Sequence, residues 1–181
     1  MILCETIEEA WDTYEEKGIT HFDSTLNVMM FSVLIAQDIW LLMRSYLNEE
    51  RQILKSLYGR HLSMTLIEYL EDINFLIGKN LRESLEENNI HDFAQDLRSI
   101  NKDFSKLKEK YNTELRNIRN EASAHKSKDA KVLYQHYISP PIEDLVLVEL
   151  SLEVSQLNTR LLNLSSSIVN RISKSIVENG S

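Results

Sequence analysis

Residues 93–122 read FAQDLRSINKDFSKLKEKYNTELRNIRNEA, and this stretch decides the fold class. Its apolar side chains recur at intervals of three and four residues and are Phe93, Leu97, Ile100, Phe104, Leu107, Tyr111, Leu115, Ile118 and Ala122. Because an α-helix repeats every ~3.6 residues, this spacing places all of them on one side of a long helix. The stretch therefore predicts an amphipathic helix whose apolar stripe faces a core or an interface.

The rest of the chain predicts four more helices, at about residues 5–17, 23–58, 62–87 and 142–178. We expect the first three to end at Gly18, at Gly59 and at Asn88-Asn89, and Gly78 weakens the third. With only 4 glycines and 2 prolines in 181 residues, turns are too few for a sandwich, a barrel or a βα-repeat. The sequence predicts an all-α, antiparallel bundle of about five helices, folded as one domain over residues 1–181 and ending in a long C-terminal helix.

The last predicted helix carries an apolar seam at the same helical spacing, formed by Leu150, Val154, Leu157, Leu161, Leu164 and Ile168 and extended by Ile172 and Ile176. At about 1.5 Å per residue this helix exceeds 50 Å, which is longer than a compact bundle of this size requires. Two interpretations remain open. The seam is either part of the core of its own chain, or its far end packs on a second subunit.

The distribution of charge is uneven along the chain. The net charge is −8, which excludes a general nucleic-acid binder with an overall basic surface. Residues 102–131, however, hold nine Lys and Arg against five Asp and Glu, a net of +4, which leaves −12 for the remainder. This local basic segment is either a solvated helix face or a binding surface for an anionic partner.

Several features point to a cytoplasmic protein. The single cysteine, Cys4, excludes an internal disulfide framework and a cysteine-rich zinc site. The first residues lack the basic and apolar regions of a signal peptide, so we expect none. Residues 26–43 are the most apolar, but Gln37 and Asp38 interrupt them and Arg44 follows them. We therefore expect a buried helix there and no membrane span.

Most catalytic chemistry lacks its motif in this sequence. There is no glycine-rich phosphate loop, no Gly-x-Ser-x-Gly elbow, no HExxH and no pair of ExxH segments, so we expect no cofactor and no metal site. Four of the five histidines stand alone. His125 differs, because it follows Ala122 by three residues and continues the apolar stripe, six residues after Arg119.

Residues 115–125, LRNIRNEASAH, resemble the motif of the HEPN superfamily. That motif is an arginine followed by a polar residue, commonly asparagine, and then a histidine four to six residues beyond the arginine. Arg119-Asn120 and Ala124-His125 fit it, and the arrangement before a long last helix is similar to the abortive-infection (AbiU-like) branch. The resemblance implies a metal-independent endoribonuclease, a toxin or phage-defence effector whose composite site lies at a homodimer interface.

The resemblance also implies residue roles that the chemistry supports. His125 can accept the proton of the RNA 2′-hydroxyl or protonate the leaving 5′-oxygen, because imidazole titrates near neutrality. Arg119 can stabilise the charge that develops on the phosphate, and Asn120 can orient the phosphate or hold the arginine. We expect Arg116, Lys126 and Lys128 to bind the RNA backbone.

One position departs from the pattern, and other interpretations stay open. HEPN toxins restrained by a nucleotidyltransferase antitoxin carry a tyrosine two residues after the histidine, where this chain has Ser127. We therefore do not predict modification by such an antitoxin, while an unidentified antitoxin or regulatory protein remains open. Glu121 can pair with Arg119 or with Lys128 and make the arginine structural. The alternative functions are a non-catalytic helical module that binds RNA, nucleotide or protein, and a plain dimerisation protein.

Overall fold

A computed structural model describes residues 2–20, 22–87, 89–123, 129–131, 134–135 and 143–179, and at residues 2–3, 118–123 and 175–179 it describes the course of the backbone alone. No described residue belongs to a β-strand. The bounded helices are α1 (Ile2–Glu16), α2 (Asp23–Asn48), α3 (Gln52–Phe75), a π-helix (Leu76–Leu81), α4 (Arg82–Glu87), α5 (Ala94–Lys110), α6 (Asn112–Ser123) and α7 (Asp144–Asn179).

In the described residues these helices form five helical segments, namely α1, α2, α3 to α4, α5 to α6, and α7. This confirms the predicted all-α bundle. The chain stays helical from α3 through the π-helix to the end of α4, and only Tyr111 separates α5 from α6. The last helix, α7, has 36 residues and is therefore about 54 Å long. Helices α5 and α7 run antiparallel. Arg160 and Arg171 of α7 pair with Asp103 and Asp92 respectively, so the numbering rises along one helix as it falls along the other.

Two helix ends have the same closing hydrogen bonds. After α1, Gly18 adopts φ +66°, its N–H donates to the Glu15 carbonyl, and the Ile19 N–H donates to the Tyr14 carbonyl. After α4, Asn89 adopts φ +56° with the equivalent pair of bonds to Glu86 and Leu85. Both are Schellman motifs, which satisfy the last carbonyls of a helix through a residue in the left-handed region. The prediction of a helix end at Gly18 is confirmed.

The prediction of a break at Gly59 is wrong, because Gly59 lies inside α3. A Cβ atom there would lie 2.8 Å from Cε2 of Tyr46, so the glycine permits a close approach of a tyrosine ring. The break falls instead between α2 and α3. There the Glu49 carboxylate accepts hydrogen bonds from the backbone N–H and the guanidinium of Arg51, which lower the pKa of Glu49 to about 2.

The chain divides into two compact units. Unit 1 comprises Met1–Leu34, Asp72–Ser105 and Gln156–Ser181, and unit 2 comprises Ile35–Glu71 and Lys106–Ser155. Each has its own buried apolar residues, such as Phe22 and Phe104 in unit 1 and Tyr46 and Leu66 in unit 2. The expectation that residues 1–181 form one domain stays a prediction.

The seam of α7 belongs to the core of its own chain. The side chains of Leu150, Val154, Leu161, Leu164, Ile168 and Ile172 are all buried. Leu157 is partly buried, and the side chain of Ile176 lies outside the described part. The described seam therefore offers no surface to a second subunit.

Helix α2 is only partly buried, contrary to expectation. Val28, Val33 and Ile39 are buried, whereas Leu34, Trp40 and Leu41 are about half exposed. By length and composition α2 could cross a membrane, although a core helix passes the same test. Hydropathy identifies an apolar helix but does not tell which of its sides the neighbours cover.

Candidate functional site

The HEPN-like motif begins near the end of α6. Arg119 and Asn120 lie in its last two turns, and their side chains lie outside the described part of the structure. His125, Lys126 and Lys128 lie outside the described residues altogether. Arg116, one turn before Arg119, has an exposed side chain. The structure thus places three of the six predicted site residues, Arg116, Arg119 and Asn120, on one helix. That Arg119 and His125 lie close together stays a prediction.

Buried apolar side chains anchor α6 at its start. Tyr111 and Leu115 are buried, and the Leu115 N–H donates to the Tyr111 carbonyl at 2.9 Å, so the helical hydrogen bonding continues from α5. Asn120 follows the exposed Arg116 by four residues, and Arg119 follows the buried Leu115 by four. Because residues four apart on a helix lie above one another, Asn120 lies one turn above Arg116 and Arg119 lies one turn above Leu115.

A cluster around Glu153 fixes the start of α6 against α7. The ammonium of Lys110 donates to Glu153 Oε1 at 2.6 Å, and the Tyr111 hydroxyl donates to the same oxygen at 2.8 Å. Lys110 Nζ also lies 4.7 Å from the centroid of the Tyr111 ring. Burial raises the pKa of Glu153, but the two hydrogen bonds outweigh it and the net pKa is lowered. The carboxylate is therefore charged, and it joins α7 to the last residue of α5 and to Tyr111, the residue between α5 and α6.

A second cluster of the same composition fixes the first residue of α7. The Tyr46 hydroxyl donates a short hydrogen bond to Asp144, and Lys55 Nζ donates to the other oxygen of that carboxylate at 2.8 Å. Lys55 Nζ lies 5.1 Å from the centroid of the Tyr46 ring. These hydrogen bonds lower the pKa of Asp144, while burial and the neighbouring carboxylate raise the pKa of Tyr46. The helices on both sides of residues 124–143 are thus held by tyrosine–carboxylate–lysine clusters.

Sequence reasoning identified neither cluster. The members of each cluster are far apart in the chain, because Asp144 follows Tyr46 by 98 positions and Glu153 follows Tyr111 by 42. The sequence feature that could have indicated these clusters was the presence of the two tyrosines. Both occupy apolar helix positions, and a buried tyrosine hydroxyl requires a hydrogen-bond partner.

Ion pairs neutralise part of the basic segment. Lys110 pairs with Glu153, and Lys108 lies 4.0 Å from Glu71. Arg116 and Lys131 have exposed side chains that the structure describes. Lys102 and Lys106 in its N-terminal half are exposed as well, so the exposed basic side chains that the structure describes are spread along the whole segment.

An open cavity described in unit 1 does not include the motif. It has a volume of about 320 Å³ and lies between α5 and α7, lined by Asp96, Ser99, Ile100, Arg160, Asn163, Leu164 and Ser167. None of the predicted site residues lines it. Within the described residues, no group of three or more His, Cys, Asp or Glu is arranged to hold a metal ion.

Comparison with known proteins adds no relative. No model of a protein family matches the sequence, and neither a curated protein nor a solved structure is detectably similar to the chain.

Proposed function

We propose that this protein is a metal-independent endoribonuclease of the HEPN type, a toxin or phage-defence effector that acts as a homodimer in the cytoplasm. The observation that carries the proposal is the Arg119-Asn120…His125 motif, which begins in the last turns of α6 and precedes the long α7. The net charge of +4 in the surrounding segment of an acidic chain supports it further.

The proposed reaction uses the nucleophile that RNA carries. A base removes the proton of the 2′-hydroxyl, the 2′-oxygen attacks the adjacent phosphorus, and the bond from phosphorus to the 5′-oxygen breaks. The leaving 5′-oxygen takes up a proton, so the products are a 2′,3′-cyclic phosphate and a 5′-hydroxyl. His125 serves as the base or as the acid, and such a group contributes a factor of about 10²–10⁴ in rate.

Arg119 has a different role from Arg116 in this proposal. Arg119 stabilises the negative charge that builds on the phosphate oxygens, for which a preorganised donor contributes about 10²–10³ in rate, and Asn120 orients the phosphate or holds Arg119. Arg116, Lys126 and Lys128 bind the RNA backbone, and salt weakens that interaction. The clusters at Asp144 and Glu153 anchor the first residue of α7 and the segment that leads into α6, the helix that carries Arg116, Arg119 and Asn120.

The test is cleavage of total RNA in excess EDTA by the parent protein and by His125→Ala. We expect the parent to produce 2′,3′-cyclic phosphate ends and His125→Ala to lose at least about 100-fold in rate. His61→Ala is the matched control, because His61 is exposed on α3 and should leave the rate unchanged. Equal cleavage by parent and His125→Ala, or cleavage that EDTA abolishes, contradicts the proposal.

A second pair of variants separates catalysis from binding. Arg119→Ala should reduce the cleavage rate of bound RNA, whereas Arg116→Ala should weaken binding and reduce its salt dependence. If neither the parent nor any variant cleaves RNA while RNA still binds, the chain is a non-catalytic binding module. The exposed apolar side chains of unit 2 favour the other alternative, a dimerisation protein.

A further inference from the structure

Helix α2 exposes an unusual set of side chains in unit 2. Trp40, Leu41 and Leu47 are 56%, 57% and 55% exposed, although tryptophan and leucine are favoured in cores. The Arg44 guanidinium lies 5.2 Å from the centroid of the Trp40 ring, and Asp38 is also exposed. We name the exposed side chains of Asp38, Trp40, Leu41, Arg44 and Leu47 the α2 face. An exposed apolar patch with charged groups inside it is typical of an interaction surface.

A lipid surface fits the α2 face poorly. Asp38 and Arg44 carry opposite charges on the exposed side of the helix, and burying a charge in hydrocarbon is costly. The opposite side of the same segment is already occupied, because Ile39 and Tyr46 are 2% and 1% exposed in the core of unit 2. Insertion of the helix across a bilayer would remove both from that core and would break the Tyr46–Asp144 hydrogen bond.

The order of charges fits a second copy of the same helix. Asp38 and Arg44 lie three residues before and three residues after Leu41, about 4.5 Å along the helix axis in each direction. When two copies pack antiparallel about a two-fold axis beside Leu41, Asp38 of each copy lies at the same height as Arg44 of the other. The long arginine side chain can cross the face to the carboxylate. The contact is self-complementary, as a two-fold interface requires.

We propose that the α2 face is the surface through which two copies of this chain associate, about a two-fold axis near Leu41. The described seam of α7 is buried within its own chain and cannot serve this purpose. The inference rests on the proposed function only in that a composite site needs a dimer. Its test measures association and not cleavage, so the two proposals can fail separately.

The test is sedimentation equilibrium on the full chain with charge exchange. Asp38→Arg and Arg44→Asp should each raise the dimer dissociation constant at least about tenfold, because each places like charges opposite one another twice. The double variant D38R/R44D should restore the dissociation constant to within about threefold of the parent, since the pairs are re-formed in reverse order. Leu41→Glu should give a monomer, because two carboxylates then meet at the axis.

Leu152→Glu is the matched control, because Leu152 is 48% exposed on α7 and lies outside the α2 face. Circular dichroism of each variant verifies that it is folded. A parent protein that is monomeric at 100 μM overturns the proposal, as does a dimer that Leu41→Glu leaves intact. Failure of the double variant to restore association overturns the two-fold axis at Leu41. Flotation of the monomer with phosphatidylglycerol vesicles would assign the α2 face to a lipid surface instead.

Discussion

The large apolar side chains of unit 1 are mostly buried, whereas unit 2 exposes many. In unit 1, Phe22, Phe104 and Ile77 are each 0% exposed. Most of the half-exposed large apolar side chains in the described residues belong to unit 2 and are Trp40, Leu41, Leu47, Ile53, Leu57, Tyr134, Leu145 and Leu152. Unit 1 therefore buries most of its large apolar side chains, whereas unit 2 leaves several of them exposed to solvent.

A buried polar contact and the partly exposed charged clusters hold helices together in different ways. In unit 1 the Asn158 amide donates to the Ser32 carbonyl at 2.8 Å between buried parts of α7 and α2, so its hydrogen bond lies inside the core. In unit 2 the carboxylates of Asp144 and Glu153 are partly exposed and bind lysines. Buried polar contacts fix which helix positions meet. Charged clusters near the surface instead hold the end of α5 and the first residue of α7.

The sharpest test of this difference is a pair of large-to-alanine substitutions. Phe104→Ala should lower the free energy of unfolding by about 3–5 kcal/mol, because it leaves a cavity in the core of unit 1. Trp40→Ala should change it by less than about 0.5 kcal/mol in the monomer, because the indole is 56% exposed. Urea unfolding followed by circular dichroism at low protein concentration measures both. Similar losses for the two variants would contradict the contrast between the units.

The two helical glycines should respond differently to alanine. Gly59→Ala should destabilise unit 2 by about 1–2 kcal/mol, because the new Cβ would lie 2.8 Å from a Tyr46 ring held by Asp144. At Gly78 the nearest atom is the Asn101 side-chain nitrogen at 3.0 Å, the end of a side chain that can move. Gly78→Ala should therefore stay within about 0.5 kcal/mol of the parent, since alanine also favours a helix. Thermal unfolding of the two variants and the parent measures both changes. A larger loss of stability for Gly78→Ala than for Gly59→Ala would contradict this prediction.

The bundle itself could be predicted from the sequence because its signal is local. The stripe from Leu97 to Leu115 and the seam of α7 are periodic over many turns, and the structure buries them as the period requires. The helix end at Gly18 could be predicted because glycine readily adopts the positive φ that such an end requires. The role of Gly59 inside α3 could not be predicted in this way. The function of a glycine inside a helix depends on what approaches it, and here that is a ring from another helix.

The candidate site could be predicted only in part, for a similar reason. The motif is a local pattern, so Arg119 and Asn120 could be assigned to a helix from spacing alone, and the structure places both near the end of α6. The groups that hold the flanking helices, such as Lys55 and Asp144, are 89 residues apart and share no pattern. The exposure of the α2 face was equally hidden, because the neighbours that leave Leu41 uncovered are set by tertiary packing.

The smallest expected effect is the contribution of Asp144 to acid stability. Hydrogen bonds from Lys55 and Tyr46 lower its pKa in the folded chain. Its contribution is therefore fully present above the ordinary aspartate pKa of about 3.9 and is lost as the pH falls through the lower folded value. The Asp144 side chain is 54% exposed, so solvent screening limits the effect to at most about 1 kcal/mol.

Asp144→Asn should therefore lower the melting temperature slightly at pH 7 and have a shallower loss of stability between pH 5 and pH 2 than the parent. Glu149→Gln, an exposed neutralisation on the same helix, is the control and should keep the parent's acid slope. Thermal unfolding across this pH range measures all three proteins. A slope for Asp144→Asn equal to that of the parent would mean that Lys55 and Tyr46 hold the start of α7 by packing and not by charge.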